Sequence, residues 1–182
     1  PSITNCIISG NTASGNGGGI CCPNSLPVIT NCTITGNTAN NGGGILFYGS
    51  NPTITNCNIL NNTAIATDES GNTGNGGGIY CNQSSPMITN CTINGNDSGY
   101  GGGGIYCFIF GGSQYNVNSD IISINGIEAK NNVSIGSGGG FYIGGNYMSL
   151  EFNDCKIYQN HAGQSGGGIA IAGNQYLSHE KI

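Results

Sequence analysis

The chain has 182 residues, a length typical of one domain, and its 35 Gly follow no three-residue period, which excludes a collagen-like sequence. Only 6% of the residues are charged, which is unlike a disordered chain, and a net charge of −5 disfavours binding to nucleic acid or anionic membrane surfaces. The longest apolar run, residues 105–110, is far shorter than the ~20 residues that span a bilayer, so no membrane insertion is predicted.

A repeated unit begins at an Asn-Cys pair and recurs six times along the chain. The second residues of successive pairs are 26, 25, 34, 36 and 28 positions apart. The pairs, the last two degenerate, are Asn5-Cys6, Asn31-Cys32, Asn56-Cys57, Asn90-Cys91, Gly126-Ile127 and Asp154-Cys155. Two spacings are long because residues 61–75 and 108–120 contain loop insertions, which solenoids tolerate at their turns. We predict a single solenoid domain over residues 1–182, or an excerpt of a longer solenoid.

Each unit contains three short segments with the period-2 alternation of a half-buried strand. In chain order, one segment ends just before the Asn-Cys pair, and one follows it, as in Cys32-Thr-Ile-Thr. The third follows a glycine triplet, as in Ile79-Tyr-Cys-Asn. Because one unit cannot bury its own apolar face, successive units must stack. The sequence therefore predicts an all-β fold, a parallel β-helix of about six coils with three short strands each.

Asparagine recurs at two fixed positions of the unit. Equivalent positions of stacked coils lie about 4.8 Å apart, and an amide carries both a donor and an acceptor, so stacked Asn can form hydrogen-bonded ladders. Asn also tolerates the left-handed backbone of a tight corner, and Gly supplies positive φ at another corner. The two predicted ladders are Asn5, Asn31, Asn56 and Asn90, and Asn11, Asn37, Asn62, Asn96, Asn132 and Asn160.

The strand after the glycine triplet has large apolar residues on its outer face. Stacking that only stiffens an exposed sheet is one explanation. A contiguous apolar patch, however, usually marks a contact site. We therefore predict a protein or glycan contact surface formed by Leu46, Tyr48, Tyr80, Tyr106, Phe108 and Tyr142.

The nine Cys fall mainly into inward columns. A vertical stack cannot offer the tetrahedral convergence of a zinc site, so we predict no metal and no cofactor. Buried thiols acting as small apolar side chains are the first interpretation, and axial disulfides such as Cys81–Cys107 are the second. Cys21 is expected to point outward as a reactive thiol. The two columns are Cys6, Cys32, Cys57, Cys91 and Cys155, and Cys22, Cys81 and Cys107.

Six Asn-x-Ser/Thr sequons occur in the chain. Those at Asn31, Asn90, Asn96 and Asn132 lie in the predicted ladders, where the amide would be engaged inward. The remaining two, Asn61 and Asn82, are therefore the candidates for N-glycosylation. Chance occurrence in so Asn- and Thr-rich a chain is the alternative.

The repeat resembles the GGAI and FxxN repeats of the chlamydial polymorphic outer-membrane proteins and related microbial surface adhesins. Gly42-Gly-Gly-Ile45 and Gly76-Gly-Gly-Ile79 match the first motif, while Ile34-Thr-Gly-Asn37 and Ile93-Asn-Gly-Asn96 match the second with Ile in place of Phe. The resemblance covers the whole chain. It implies that the β-helix is right-handed and that the protein is extracellular or on the cell surface.

Enzymatic function is a weaker interpretation. Right-handed β-helices also include pectate lyases and polygalacturonases, but the chain has no Arg, and glycoside hydrolysis needs a facing pair of carboxylates. Asp68-Glu69 and Asp97 are the nearest candidates for such a pair, and solvated turn acids are the simpler interpretation. We predict no catalytic residues. A third interpretation is ice binding by the stacked Thr4, Thr30, Thr55 and Thr89.

Both ends of the chain fall at about the same corner of the coil, and neither resembles a polar capping repeat. Uncovered ends of a β-helix expose unpaired backbone groups that template further stacking. We therefore expect either an excerpt of a longer β-helix or a subunit that assembles end to end into a homo-oligomer or filament. A non-enzymatic fibre subunit or adhesin segment, with a glycan or surface partner, is the leading functional hypothesis.

Overall fold

The polypeptide winds into a parallel β-helix of six coils in the computed structural model, which describes residues 1–67, 72–109, 121–146 and 148–173. Equivalent residues of neighbouring coils pair in register, as Ile29 does with Ile54 and Ile54 with Ile88. The predicted all-β solenoid is confirmed.

The strands follow one another in the same order in every coil. Coil one contains β1 (Ser2–Thr4), β2 (Ile7–Ser9) and β3 (Ile20–Pro23). Coil two contains β4 (Val28–Thr30), β5 (Thr33–Thr35), β6 (Thr38–Ala39) and β7 (Ile45–Tyr48). Coil three contains β8 (Thr53–Thr55), β9 (Asn58–Leu60), β10 (Thr63–Ala64) and β11 (Ile79–Asn82).

The remaining coils repeat this order with some longer strands. Coil four contains β12 (Met87–Thr89), β13 (Thr92–Asn94), β14 (Asp97–Ser98) and β15 (Ile105–Ile109). Coil five contains β16 (Ile121–Asn125), β17 (Glu128–Lys130), β18 (Val133–Ser134) and β19 (Phe141–Gly145). Coil six contains β20 (Ser149–Asn153), β21 (Lys156–Tyr158), β22 (His161–Ala162) and β23 (Ile169–Ala172).

Four parallel sheets run along the axis. Sheet A is β1-β4-β8-β12-β16-β20, and sheet B is β2-β5-β9-β13-β17-β21. Sheet C is β6-β10-β14-β18-β22, and sheet D is β3-β7-β11-β15-β19-β23. Sheet C was not predicted, because its strands have two residues each and a two-residue segment shows no alternation.

The turns from sheet A to sheet B and from sheet B to sheet C each contain one residue in the left-handed backbone conformation, which is called the corner residue. Asn31 (φ 54°) joins sheet A to sheet B, and Asn61 (φ 53°) joins sheet B to sheet C in the next coil. Asn adopts this conformation more readily than most residues, which accounts for part of the Asn content. The left-handed corner also turns its own side chain outward, so the column of Asn5, Asn31, Asn56 and Asn90 is exposed. The prediction that these four form an inward ladder is therefore wrong.

The interior is filled by columns of β-branched residues. The sheet A column contains Ile29, Ile54, Ile88 and Ile124, each completely buried, and Ile34, Ile59 and Ile93 form the equivalent column of sheet B. The inward positions predicted from period-2 alternation are thus confirmed. Identical side chains stacked in register give a continuous core, and the described residues contain no helix.

The glycine triplets bring the backbones of adjacent coils close together. The first glycine of each triplet has positive φ, as at Gly76 (φ 66°). A Cβ on the third glycine, Gly78, would lie 2.6 Å from the carbonyl oxygen of Gly104 and 3.1 Å from Cγ of Asn96. The triplet therefore leaves room both for the next coil and for a buried Asn beside it.

Candidate functional surface and internal ladders

The column from Asn11 to Asn160 is a continuous hydrogen-bonded ladder inside the helix. Asn37 donates from its backbone N–H and from Nδ2 to Oδ1 of Asn62, both at 3.0 Å. Asn62 donates to Asn96 and Asn96 to Asn132 in the same way. Each second Nδ2 proton is used by a carbonyl group, such as that of Ile34 for Asn62 (3.0 Å). The predicted ladder is confirmed, and every step has the same polarity.

In two further columns the backbone N–H of one coil also donates to a side chain of the next coil, but the acceptor is sulfur or a hydroxyl oxygen. The backbone N–H of Cys32 donates to Sγ of Cys57 (3.4 Å), and the backbone N–H of Ser25 donates to Oγ of Ser50 (3.1 Å). In each case the donor directly follows a left-handed corner residue. The corner breaks the backbone ladder, so an inward side chain of the next coil accepts the N–H instead.

Sequence reasoning missed some of these ladders. The column of Ser25, Ser50 and Ser84 went unnoticed because three copies are a weak signal. Asn16, Asn41 and Asn75 also pair in register just before the glycine triplets, and Asn41 donates to Oδ1 of Asn16 at 3.3 Å. The sequence feature that indicates this column is the Asn directly before the glycine triplet in three consecutive units.

All nine cysteines are free thiols. The column from Cys6 to Cys155 faces inward as predicted, although Cys6 itself is exposed at the first coil. In sheet D, Cys81 and Cys107 pair in register and are fully buried, with Phe47 and Ile143 on either side of them. Cys21 is exposed, which agrees with its predicted outward direction.

We expect iodoacetamide to alkylate Cys6 and Cys21 of the native protein far faster than the buried thiols, because only accessible thiolates react. The protected set is Cys32, Cys57, Cys81, Cys91 and Cys107. Peptide mass spectrometry after a short pulse, with and without guanidinium, measures this difference. Equal labelling of Cys21 and Cys81 in the native protein would contradict the burial described here.

The outer face of sheet D contains the predicted aromatic surface. Tyr80, Tyr106 and Tyr142 pair in register, with ring centroids 5.3 and 4.9 Å apart and interplanar angles of 8° and 6°. Near-parallel rings at these distances overlap in an offset stack, so they cover one another's faces, and all three side chains are half-buried. Phe108 lies beside Tyr106 with centroids 6.3 Å apart.

The two other members of the predicted surface behave differently. Leu46 is in register with Tyr80 but only 5% exposed, so the prediction that it contributes an open apolar surface is wrong. Tyr48 is 49% exposed, and Asn82 separates it from Phe108 in the neighbouring column. The aromatic surface is therefore centred on the three stacked tyrosines, which are half-buried.

Burial changes the ionisation of this region. It raises the pKa of the Tyr106 phenol, with the neighbouring Tyr80 and Tyr142 adding to the effect, and it also raises the pKa of Tyr80. Behind the sheet, burial raises the pKa of the Cys81 thiol well above its ordinary value. The neutral forms of these groups are therefore favoured in the folded state.

These shifts predict that stability is lost at alkaline pH. Because the folded pKa values lie above the unfolded ones, the folded chain holds more protons once the pH exceeds the ordinary thiol and phenol values of 9.0 and 10.0. Stability is fully present below that range and falls as the pH rises through it. Urea unfolding at about pH 7.5 and about pH 10.5 should show the loss, and Tyr106→Phe should reduce it. A pH-independent free energy of unfolding would contradict the prediction.

Charged groups of the described residues are spread over different faces. Asp97 lies on sheet C, Glu128 on sheet B and Glu151 on sheet A. Glu128 forms an ion pair with Lys130 at 3.1 Å and accepts a hydrogen bond from the Tyr158 hydroxyl, so it is already engaged. Within the described ranges, no group of three His, Cys, Asp or Glu could hold a metal ion. Asp68, Glu69, Asp120, His179 and Glu180 lie outside them.

The comparisons with known proteins agree with this architecture. A family model described as a right-handed β-helix region matches residues 2–181. No curated protein and no solved structure matches the chain. The part of the chain that the structure describes has no helix with the length and apolar character needed to cross a membrane.

Proposed function

The chain belongs to the right-handed β-helix family, and from this premise we propose that it is a non-enzymatic structural segment of an extracellular or cell-surface protein, a fibre subunit or adhesin stalk. The observation that supports this most is the unbroken Asn ladder from Asn11 to Asn160. The repeated polar residues are used to stack coils, and not to build a pocket. Solubility comes from Thr, Ser and Asn, which suits a rigid surface rod.

End-to-end growth of the rod would follow from the polarity of the ladder. Asn11 donates to Asn37 in the next coil and leaves its own Oδ1 as an acceptor. Asn160 accepts from Asn132. A coil added in the same direction, from this chain or another copy, continues the pattern, whereas a reversed coil would oppose like groups. Repeated addition of copies is heterologous and gives an open filament.

Two measurements test this proposal. A non-permeant antibody to the chain should label intact cells of its source; labelling that requires permeabilisation would overturn the surface location. Electron microscopy of the purified protein should show filaments with an axial repeat of roughly 29 Å, from six coils at ~4.8 Å each. A repeat far from this value, or separate particles only, would overturn end-to-end assembly.

Two other functions stay as alternatives with their own tests. For a carbohydrate-active enzyme, release of oligosaccharides from uronate or neutral polysaccharides, lost in Asp97→Asn, would replace the structural proposal. For ice binding, the favourable observation is that Thr4, Thr30, Thr55 and Thr89 do stack in register on sheet A. Thermal hysteresis in a solution of the protein would support that function.

The stacked tyrosines are proposed as the contact surface for a protein or glycan partner. Their half-buried rings and hydroxyl groups can offer aromatic contacts and hydrogen bonds to a partner, and no charge is needed for recognition. Tyr80→Ser with Tyr106→Ser should weaken self-association or glycan binding, while Tyr158→Ser on sheet B is the matched control. Unchanged binding by the double variant on a glycan array and in sedimentation would leave the stack with a structural role only.

A further inference from the structure

Five of the six sequons in the chain fall into two structural classes. Asn31 and Asn90 occupy the left-handed corner between sheets A and B, and Asn61 occupies the one between sheets B and C. All three are exposed. Asn96 and Asn132 are completely buried in the ladder. The expectation that Asn31 and Asn90 are engaged inward is therefore wrong, and the structure separates the sequons by burial.

The side-chain amides of the three corner residues are available for modification. Oδ1 of Asn90 lies 2.6 Å from the position that a Cβ on Gly126 would take, so the oxygen end of the amide faces the next coil. Asn61 is placed against Gly95 in the same way. No hydrogen bond within the described part of the chain uses Nδ2 of Asn31, Asn61 or Asn90. In Asn61 and Asn90 the nitrogen that would carry a sugar is thus directed away from the coil stack.

The amide nitrogens of the other three sequons are all hydrogen-bonded within the fold. Nδ2 of Asn96 donates to the carbonyl group of Ile59 (2.9 Å) and to Oδ1 of Asn132 (3.0 Å), so both protons are used inside the core. Nδ2 of Asn132 is engaged in the same manner with Ile93 and Asn160. Asn82 is half-buried, and its Nδ2 donates to the hydroxyl of Tyr80 at 3.0 Å.

We infer that Asn31, Asn61 and Asn90 are acceptor sites for N-linked oligosaccharides, and that Asn82, Asn96 and Asn132 are not. The inference rests on the proposed extracellular location, because N-glycosylation follows export. The donor is an oligosaccharide bound to a polyprenyl diphosphate. The bond from C1 to Nδ2 forms as the bond from C1 to the diphosphate oxygen breaks, the diphosphate leaves with the electron pair, and Nδ2 gives one proton to a base of the transferase.

Glycans at these sites would cover one side of the rod only. Asn31 and Asn90 are two coils apart on the same corner, which is roughly 10 Å along the axis. Asn61 lies one strand further around, between the two in height. Sheet D with its stacked tyrosines is left clear, so lateral contacts through the corner between sheets A and B would be blocked while the aromatic surface stays open.

The test is secretion of the full chain from a eukaryotic host, followed by peptide N-glycosidase treatment in heavy-oxygen water. We expect the secreted, folded protein to carry label at Asn31, Asn61 and Asn90 and none at Asn82, Asn96 or Asn132. Thr33→Val, Thr63→Val and Thr92→Val should each remove one glycan, and Thr→Ser at the same position, which keeps the sequon, should retain it. All three threonines are half-buried, so Val preserves their shape.

Several outcomes would overturn the inference. One is a secreted, folded chain without glycans at the three corners; another is label at Asn82, Asn96 or Asn132 in folded material. The surface location is tested separately by the antibody experiment on intact cells. If the secreted chain carries corner glycans but the antibody shows that the native protein is intracellular, the proposed function is overturned. The assignment of the three acceptor sites is then still supported.

Discussion

Replacing Asn62 by Ala is expected to lower the free energy of unfolding by about 3 to 5 kcal/mol, because four buried hydrogen bonds depend on this side chain. Its Oδ1 accepts from the backbone N–H and Nδ2 of Asn37, and its Nδ2 donates to the carbonyl group of Ile34 and to Oδ1 of Asn96. Removal of the Asn62 amide leaves polar groups of three other residues without a hydrogen-bond partner, and no water reaches them inside the core. Leaving a buried polar group unsatisfied costs about 1–3 kcal/mol, and groups within one network do not add fully.

The matched control is Asn58→Ala in the same coil. Asn58 is exposed on sheet B, so its replacement should change the free energy of unfolding by no more than about 0.5 kcal/mol. Urea denaturation monitored by circular dichroism measures both variants. Equal stability of the two would show that the ladder contributes nothing beyond solvated amides, and the account of the Asn content would then be wrong.

Much of the solenoid could be predicted because each coil contacts only the coils directly above and below it. A residue in one coil meets its own equivalent in the next, so period and phase alone placed Ile54 inward and Tyr80 outward. The ladder from Asn11 to Asn160 followed from the same phase. The sequence did not predict the distances between the sheets or the contacts of Tyr106 with side chains of other columns. Both depend on how sharply each corner turns.

The failed predictions about asparagine share a cause at the corners. Asn31 and Asn37 are equally regular in the sequence, yet one is a left-handed corner residue that points outward and the other directly follows a corner and points inward. The stacking argument treated both Asn columns alike, but a left-handed residue turns its side chain outward, so the argument gave the wrong side for Asn31. Leu46 was misjudged for a different reason: it lies on the outer face but is covered by its neighbours.

In the Asn, Cys and Ser columns, the backbone N–H of the residue after a left-handed corner donates to a side chain of the next coil. This requirement also explains which residue types can follow a left-handed residue. Asn, Cys and Ser all place an acceptor close to the backbone, and each receives an N–H from the preceding coil. Ile127 stands in the Cys column with no acceptor to offer. Sulfur is a weaker acceptor than an amide oxygen, so the Asn ladder should contribute more to stability per coil than the Cys column.

Replacing Gly77 by Ala is the second change with a large expected effect. Gly77 is the middle residue of a triplet, and its backbone N–H donates to the carbonyl group of Gly102 (3.1 Å) in the next coil. A Cβ here would lie 2.5 Å from the carbonyl oxygen of Gly103 and 2.7 Å from the carbonyl carbon of Asp97. Both obstacles are backbone, so no side chain can rotate away, and coils three and four would have to separate.

We expect Gly77→Ala to cost at least about 3 kcal/mol, or roughly 10 °C in Tm for a chain of this size, because the inserted methyl group breaks coil-to-coil hydrogen bonds as well as packing. Gly15→Ala is the control, since a Cβ on Gly15 meets nothing within 4 Å and its φ is not positive. That variant should be unchanged or slightly more stable, because Ala reduces the freedom of the unfolded chain. Calorimetry measures the Tm of both variants. If Gly77→Ala and Gly15→Ala unfold at the same Tm, the coils are not held at the contact distance that makes glycine necessary.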